Sequence, residues 1–204
     1  MKLDEYKKFI PQVESLIGDM NFCGGADYNS RVFHAVLGFA TEAGEILDPI
    51  KKYAFYGKDL DITNIREEIG DVLWYSALFA DCFDISLEGC KKWASTYPPK
   101  SGSLLFKDVS REVDYALWDA SKNLCSISAQ MMETFPHTFS KSIAEYFLNH
   151  IFKNIIQILN CIGGSLEEEA ERNYNKLNAR FKDGFSSEKA INRDLDTERT
   201  ILEG

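Results

Sequence analysis

Apolar residues recur at helical spacing through nearly the whole chain, and no segment reads as a strand. The pattern predicts a first helix over roughly residues 2–19, ending before the loop NFCGGADYN. A second begins near Ser30, which can cap it, and runs through Glu45 toward Tyr56, with Gly57 as its stop. Pro49 falls inside it and removes the backbone bond to the Glu45 carbonyl, so a kink is expected there. A third helix is predicted from about Thr63 to Asp84, followed by a short one from Ser86. YPPKSGS at 97–103 is a clear break. Beyond it the pattern predicts helices near 109–133 and 139–162, a stop at Gly163-Gly164, and a charged helix from Ser165 to about Asp183. The polar tail SSEKAINRDLDTERTILEG has capping chemistry at Ser186 or Ser187 and predicts one more short helix. The fold class is therefore all-α, a helical bundle.

The order of helices repeats at a spacing of about 80 residues: Ser30-Arg31 lines up with Ser110-Arg111, Ala40-Thr41 with Ala120-Ser121, and Ser86-Leu87-Glu88 with Ser165-Leu166-Glu167. This predicts an internally duplicated helix pair and two halves, 1–97 and 98–204, either separate or packed as one domain. Apolar content of 45% in 204 residues is ample for a core. No apolar run approaches a membrane span, and the N-terminus, which contains acids, is neither a signal nor a transit peptide. The five cysteines are scattered and lack metal-ligand spacing, which reads as reduced core thiols of a cytoplasmic protein. A net charge of −9 argues against nucleic-acid binding, and an acidic chain that handles phosphates needs cations as intermediaries.

Four carboxylates carry the chemistry. Glu42 and Glu45 in GFATEAGEI, and Glu68 and Asp71 in REEIGDVLW, are two i, i+3 pairs, each on one helix face. Two such helices packed antiparallel gather four negative charges in otherwise apolar surroundings. Uncompensated, such a cluster is destabilising, and bound hard cations relieve it. The plainer alternative is two solvated acidic helix faces. Under the repeat, the second half has Lys122, Cys125, Phe147 and His150 opposite the four acids, which predicts one site per chain.

HAVLGFATEAGEILDPIKKYAFYGK followed by IREEIGDVLWYSALFADCFDISLE resembles the MazG-like, all-α nucleoside triphosphate pyrophosphohydrolases. The closing stretch from SLEEEAERNYNKLNARF onward is similar to the C-terminal part of small members. The resemblance spans roughly 31–90 and 165–204, with about 75 residues intervening between the two stretches. It implies Glu42, Glu45, Glu68 and Asp71 as magnesium ligands, with manganese as an alternative, and cleavage of a nucleotide between its α and β phosphates. Glu42 or Glu45 would then orient or deprotonate the attacking water. Tyr75, on the face of Asp71, is a candidate for phosphate or sugar contact, against a role as half-buried core. His34, with Gly38 leaving room for a ligand, is a candidate base contact, against ordinary packing. One of Lys51, Lys52 and Lys58 is expected at the phosphates. Asn173 and Lys176 match a part of the family that contributes to the nucleotide site, in dimeric members from the partner. The duplicated chain is either a self-sufficient pseudo-dimer or dimerises again as the family usually does, and the homodimer is the expectation, with a nucleotide as the ligand and no membrane or nucleic-acid partner. Nucleotide sequestration without turnover and a purely structural helical adaptor are the competing readings. The tryptophans are assigned to the core.

Overall fold

The structure is a computed structural model that describes residues 1–15, 20–21, 27–100, 103–106, 111–135, 139–182, 184–192 and 194–203. Where one long N-terminal helix was expected, two short ones form: α1 (Leu3–Lys7) and α2 (Ile10–Val13). Pro11 is the cause, because it cannot donate to the Lys7 carbonyl and its ring crowds that group. The rest of the predicted helix, 16–19, lies outside the described residues. Strands β1 (Met20–Asn21) and β2 (Asp27–Tyr28) then pair antiparallel.

Helix α3 (Ser30–Tyr56) continues across the buried Pro49 and ends at Gly57, whose φ of 71° is a left-handed cap suited to glycine. Its N-cap is Asn29, not Ser30: the Asn29 side chain accepts from the amides of Arg31 and Val32. Helix α4 (Ile62–Cys82) is capped by Asp61, and α5 (Leu87–Ala94) by Ser86. The expectation of no strand fails again at β3 (Ser103–Phe106) and β4 (Arg111–Asp114), which pair antiparallel with Ser103 opposite Asp114. Four-residue strands are too short for alternation to be told from helical spacing. The helix predicted from 109 therefore starts later, as α6 (Tyr115–Thr134), where the Asp114 carboxylate accepts from the amides of Ala116 and Leu117. Then follow α7 (Lys141–Ile162), α8 (Leu166–Arg180), α9 (Ser187–Ile191) and α10 (Leu195–Glu203).

Two helical hairpins, α3–α4 and α6–α7, pack side by side through α3 and α6, with α8 laid on α4 and α5 on α7. One continuous apolar cluster joins them, including Phe39, Ile46 and Phe79 from the first hairpin and Leu124, Phe152 and Ile155 from the second. Burying each such side chain contributes about 1.5–3 kcal/mol. A strand pair, two long helices and a shorter helix occur twice in the same order, and the caps Asp61 and Ser86 recur at one offset as Ser140 and Ser165. Duplication as the origin of that order is our proposal. No helix among the described residues is long and apolar enough to cross a membrane.

Candidate active site

Helices α3 and α4 open a cleft of about 540 Å³, closed on its far side by Leu177, Arg180 and Phe181 at the end of α8 and by Phe185 beyond it. Glu42, Glu45, Glu68, Asp71, His34 and Tyr75 all line it. One carboxylate oxygen each from Glu42, Glu68 and Asp71 lies within 4.8 Å of the others. Glu45 stands apart from this group at the exposed edge.

The three acids are held differently. Asn64 Nδ2 donates to Glu68 Oε1 at 2.6 Å, and Thr41 Oγ1 donates to Glu42 Oε1 at 2.9 Å. Burial, reinforced by Asp71, Glu45, Glu67 and Glu42, pushes the Glu68 carboxyl up to about 9. Burial together with Asp71 and Glu45 pushes Glu42 up to about 7. Asp71, in contrast, has a cation: Lys176 Nζ sits 2.8 Å from both of its oxygens and 3.3 Å from Glu67 Oε1. Lys176 is only 1% exposed. Burial disfavours its charge, but Asp71 and Glu67 outweigh that and hold it protonated above the usual lysine range. Glu42 and Glu68 are left with no cation beside them in any described contact. An all-oxygen donor set carrying surplus negative charge fits a hard divalent cation.

An aromatic wall adjoins the acids. The His34 ring meets Trp74 edge-on at 5.6 Å and Tyr75 at 5.4 Å, and Trp74 meets Tyr75 at 4.9 Å. Burial lowers the His34 pKa, so its ring is neutral near pH 7. Burial, then Glu42 and Asp71, raise that of Tyr75, which keeps its hydroxyl a donor. Gly38 does not leave room for a ligand as expected: a Cβ there would stand 2.2 Å from the Tyr75 ring, which fills the space. Trp74 is core, as assigned, yet it also lines the cleft, whereas Trp118 on α6 is exposed and not core.

The remaining expected residues do not reach the cleft. Lys58 is exposed just past Gly57, roughly four turns beyond Glu42. Lys51 and Lys52 both pair with Asp48 on their own helix. Asn173 and Lys176 lie behind Asp71, buried, with Asn173 Nδ2 donating to Asp71 Oδ1 at 2.6 Å. Tyr6 in turn donates its hydroxyl to Asn173 Oδ1 at 2.6 Å. Sequence reading missed Asn64, Glu67, Tyr6 and Arg180. Arg180 is the one Lys or Arg among the described residues lining the cleft, and it makes two 2.7 Å bonds to Glu198. Its i, i+4 spacing from Lys176 was the available signal.

A helical hairpin that aims carboxylates from both helices into one cleft defines the class: an all-α bundle with an acidic centre. Residues 34–90, from His34 on α3 into α5, match the family model of the MazG nucleotide pyrophosphohydrolase domain, which supports a MazG-like assignment for that segment. The match contains all four acids and His34 and Tyr75, and leaves α6–α10 outside it. No curated protein and no solved structure matches the chain.

Proposed function

We propose that this protein is a magnesium-dependent nucleotide pyrophosphohydrolase that cleaves a nucleoside or deoxynucleoside triphosphate between the α and β phosphates, releasing the monophosphate and pyrophosphate. The observation that carries the reading is the convergence of Glu42, Glu68 and Asp71 oxygens within 4.8 Å inside a segment of the MazG family. Magnesium, with manganese as a substitute, would be held by these acids and Glu45, and would neutralise phosphate charge and lower the pKa of an attacking water. We assign Glu45 the task of orienting that water, because it stands at the rim outside the three-acid group; Glu42 is the other candidate for that role. The wall of His34, Trp74 and Tyr75 offers apolar faces for a base and a hydroxyl for the sugar or phosphate. Arg180 is the side chain we expect at the distal phosphates, where a planar guanidinium binds two oxygens at once.

The setting we propose is the cytoplasm, which the free thiols of Cys82, Cys90, Cys125 and Cys161 support. We also propose a homodimer, supported by the exposed Phe55, Tyr56 and Trp118 on α3 and α6. The decisive experiment is incubation with a panel of ribo- and deoxyribonucleoside triphosphates plus magnesium, with pyrophosphate resolved from phosphate. Pyrophosphate with the matching monophosphate is expected. Tight nucleotide binding with no product would instead establish sequestration, and neither binding nor metal-dependent thermal stabilisation would leave a structural adaptor.

A further inference from the structure

We propose that Tyr6, on the short helix α1, is a positioning residue for Asp71, acting through the side-chain amide of Asn173; this rests on the metal-site reading above. The Tyr6 hydroxyl lies 2.6 Å from Asn173 Oδ1, and Asn173 Nδ2 lies 2.6 Å from Asp71 Oδ1. Tyr6 is 0% exposed and Asn173 1%, so both stand behind Asp71 and out of the cleft.

Chemistry sets the direction of this relay. A carboxylate only accepts, so the amide must turn Nδ2 toward Asp71 and Oδ1 away from it. The buried Oδ1 then needs a donor, and Tyr6 supplies it. With the hydroxyl in place the amide has one satisfied orientation; without it the amide is free to rock. The consequence falls on one particular oxygen. Lys176 bonds both oxygens of Asp71 at 2.8 Å and does not distinguish them. Asn173 adds a second donor to Oδ1 alone, which leaves Oδ2 with more free lone-pair capacity for a cation. Partners behind a ligand commonly tune a metal in this way.

Two further features fit a built contact. Gly70, the neighbour of Asp71, is where α8 crosses α4: a Cβ there would stand 3.1 Å from Asn173 Cβ and 3.2 Å from Nδ2. Helix α1 is also clamped onto α5. Leu3 N donates to Glu88 Oε1 at 2.9 Å, Leu87 N to Asp4 Oδ1 at 2.8 Å, and Lys7 Nζ to the Ile85 carbonyl at 2.8 Å. The hydroxyl of Tyr6 is therefore carried on a fixed element.

The test is Mn²⁺ binding to the nucleotide-free full chain, followed by the electron paramagnetic resonance of the free ion. Tyr6→Phe, which removes one oxygen, is expected to weaken binding by roughly tenfold or more. Asn173→Ala should weaken it at least as much, and adding Tyr6→Phe to Asn173→Ala should cost nothing further, because the hydroxyl acts only through the amide. Additive losses, or wild-type Mn²⁺ affinity in Tyr6→Phe with only a lowered melting temperature, would overturn the relay and make Tyr6 a core residue. If Tyr6→Phe does not fold, Asn173→Ala alone decides, since wild-type affinity there overturns the relay equally. Wild-type protein that binds no Mn²⁺ overturns the metal reading and the relay together, whereas Mn²⁺ binding that Tyr6→Phe leaves unchanged overturns the relay alone.

Discussion

Glu68 on α4 and Asp119 on α6 are buried alike, each 6% exposed, yet their surroundings drive them in opposite directions. Asp119 accepts from Lys100 at 2.6 Å, Lys122 at 2.9 Å and Asn123 at 3.1 Å, and the two lysines hold its carboxyl down to about 2. Glu68 has one neutral donor and four acids around it, and stands near 9. The first hairpin leaves Glu42 and Glu68 unmatched, with Lys176 serving Asp71 alone of the three clustered acids, and the second hairpin matches its buried charge. Burial is the largest push on Glu68, whereas at Asp119 the two lysines outweigh it, so burial without a matching cation is what marks the site. The positions expected opposite the acids have been put to structural use. Lys122 pairs with Asp119, Cys125 donates to the Ala43 carbonyl at 3.1 Å, Phe147 packs 5.9 Å from Phe139, and His150 lies 4.2 Å from Tyr146.

The largest effect should come from neutralising the unmatched side. Asp71→Asn and Glu68→Gln are each expected to lower pyrophosphate release on the order of 10²-fold or more. In metal-free protein Glu68→Gln should raise the melting temperature above neutral pH, because it removes a carboxylate that the cluster repels. A Glu68→Gln protein that turns over normally would dissolve the contrast between the hairpins.

Lys176 is the internal counter-ion of the first hairpin. Lys176→Met should cost about 3–5 kcal/mol in the absence of metal, as expected when one member of a buried pair is removed. Magnesium should recover part of that loss, since a second cation can then serve Asp71. Denaturant melts with and without magnesium measure both, and turnover equal to wild type would exclude Lys176 from the site.

The raised carboxyls also predict a pH dependence. Glu42 and Glu68 titrate near 7 and 9 in the folded chain but at about 4.3 when unfolded. The folded state binds more protons between those values, so metal-free stability should fall as pH rises from about 4.3 toward 9. Saturating magnesium should flatten the fall. Thermal melts across that range that show no decline on the alkaline side would mean that the acids are already compensated.

Part of this was legible in the sequence because it rests on local rules. The acid pairs, the stop at Gly57 and the helix from Ser86 follow from spacing and capping. What was missed rests on contacts distant along the chain. Tyr6 reaches the site through α8, and Arg180 faces the cleft only because α8 crosses α4 at Gly70. Lys58 lies outside the cleft for the converse reason: nearness in sequence to Glu42 becomes distance along a rigid helix. The space at Gly38 was misread because Tyr75, a helix away, fills it.

The smallest effect is expected from the matched carboxylate. Asp119→Asn leaves Lys100 and Lys122 with side chains about half exposed, at 52% and 49%, so both can return to water and the loss should be about 1 kcal/mol. Its pH signature is the mirror of that of Glu68. A carboxyl held down to about 2 contributes stability that is present above its unfolded value near 4 and is lost as pH falls through 2. Asp119→Asn should therefore lose stability at neutral pH and little at pH 2, with pyrophosphate release unchanged. Equal loss at both pH values would show that packing, not charge, holds the loop of Lys100 on α6. A fall in turnover would be the more consequential result, because it would couple the second hairpin to the cleft from which its side chains are absent among the described residues.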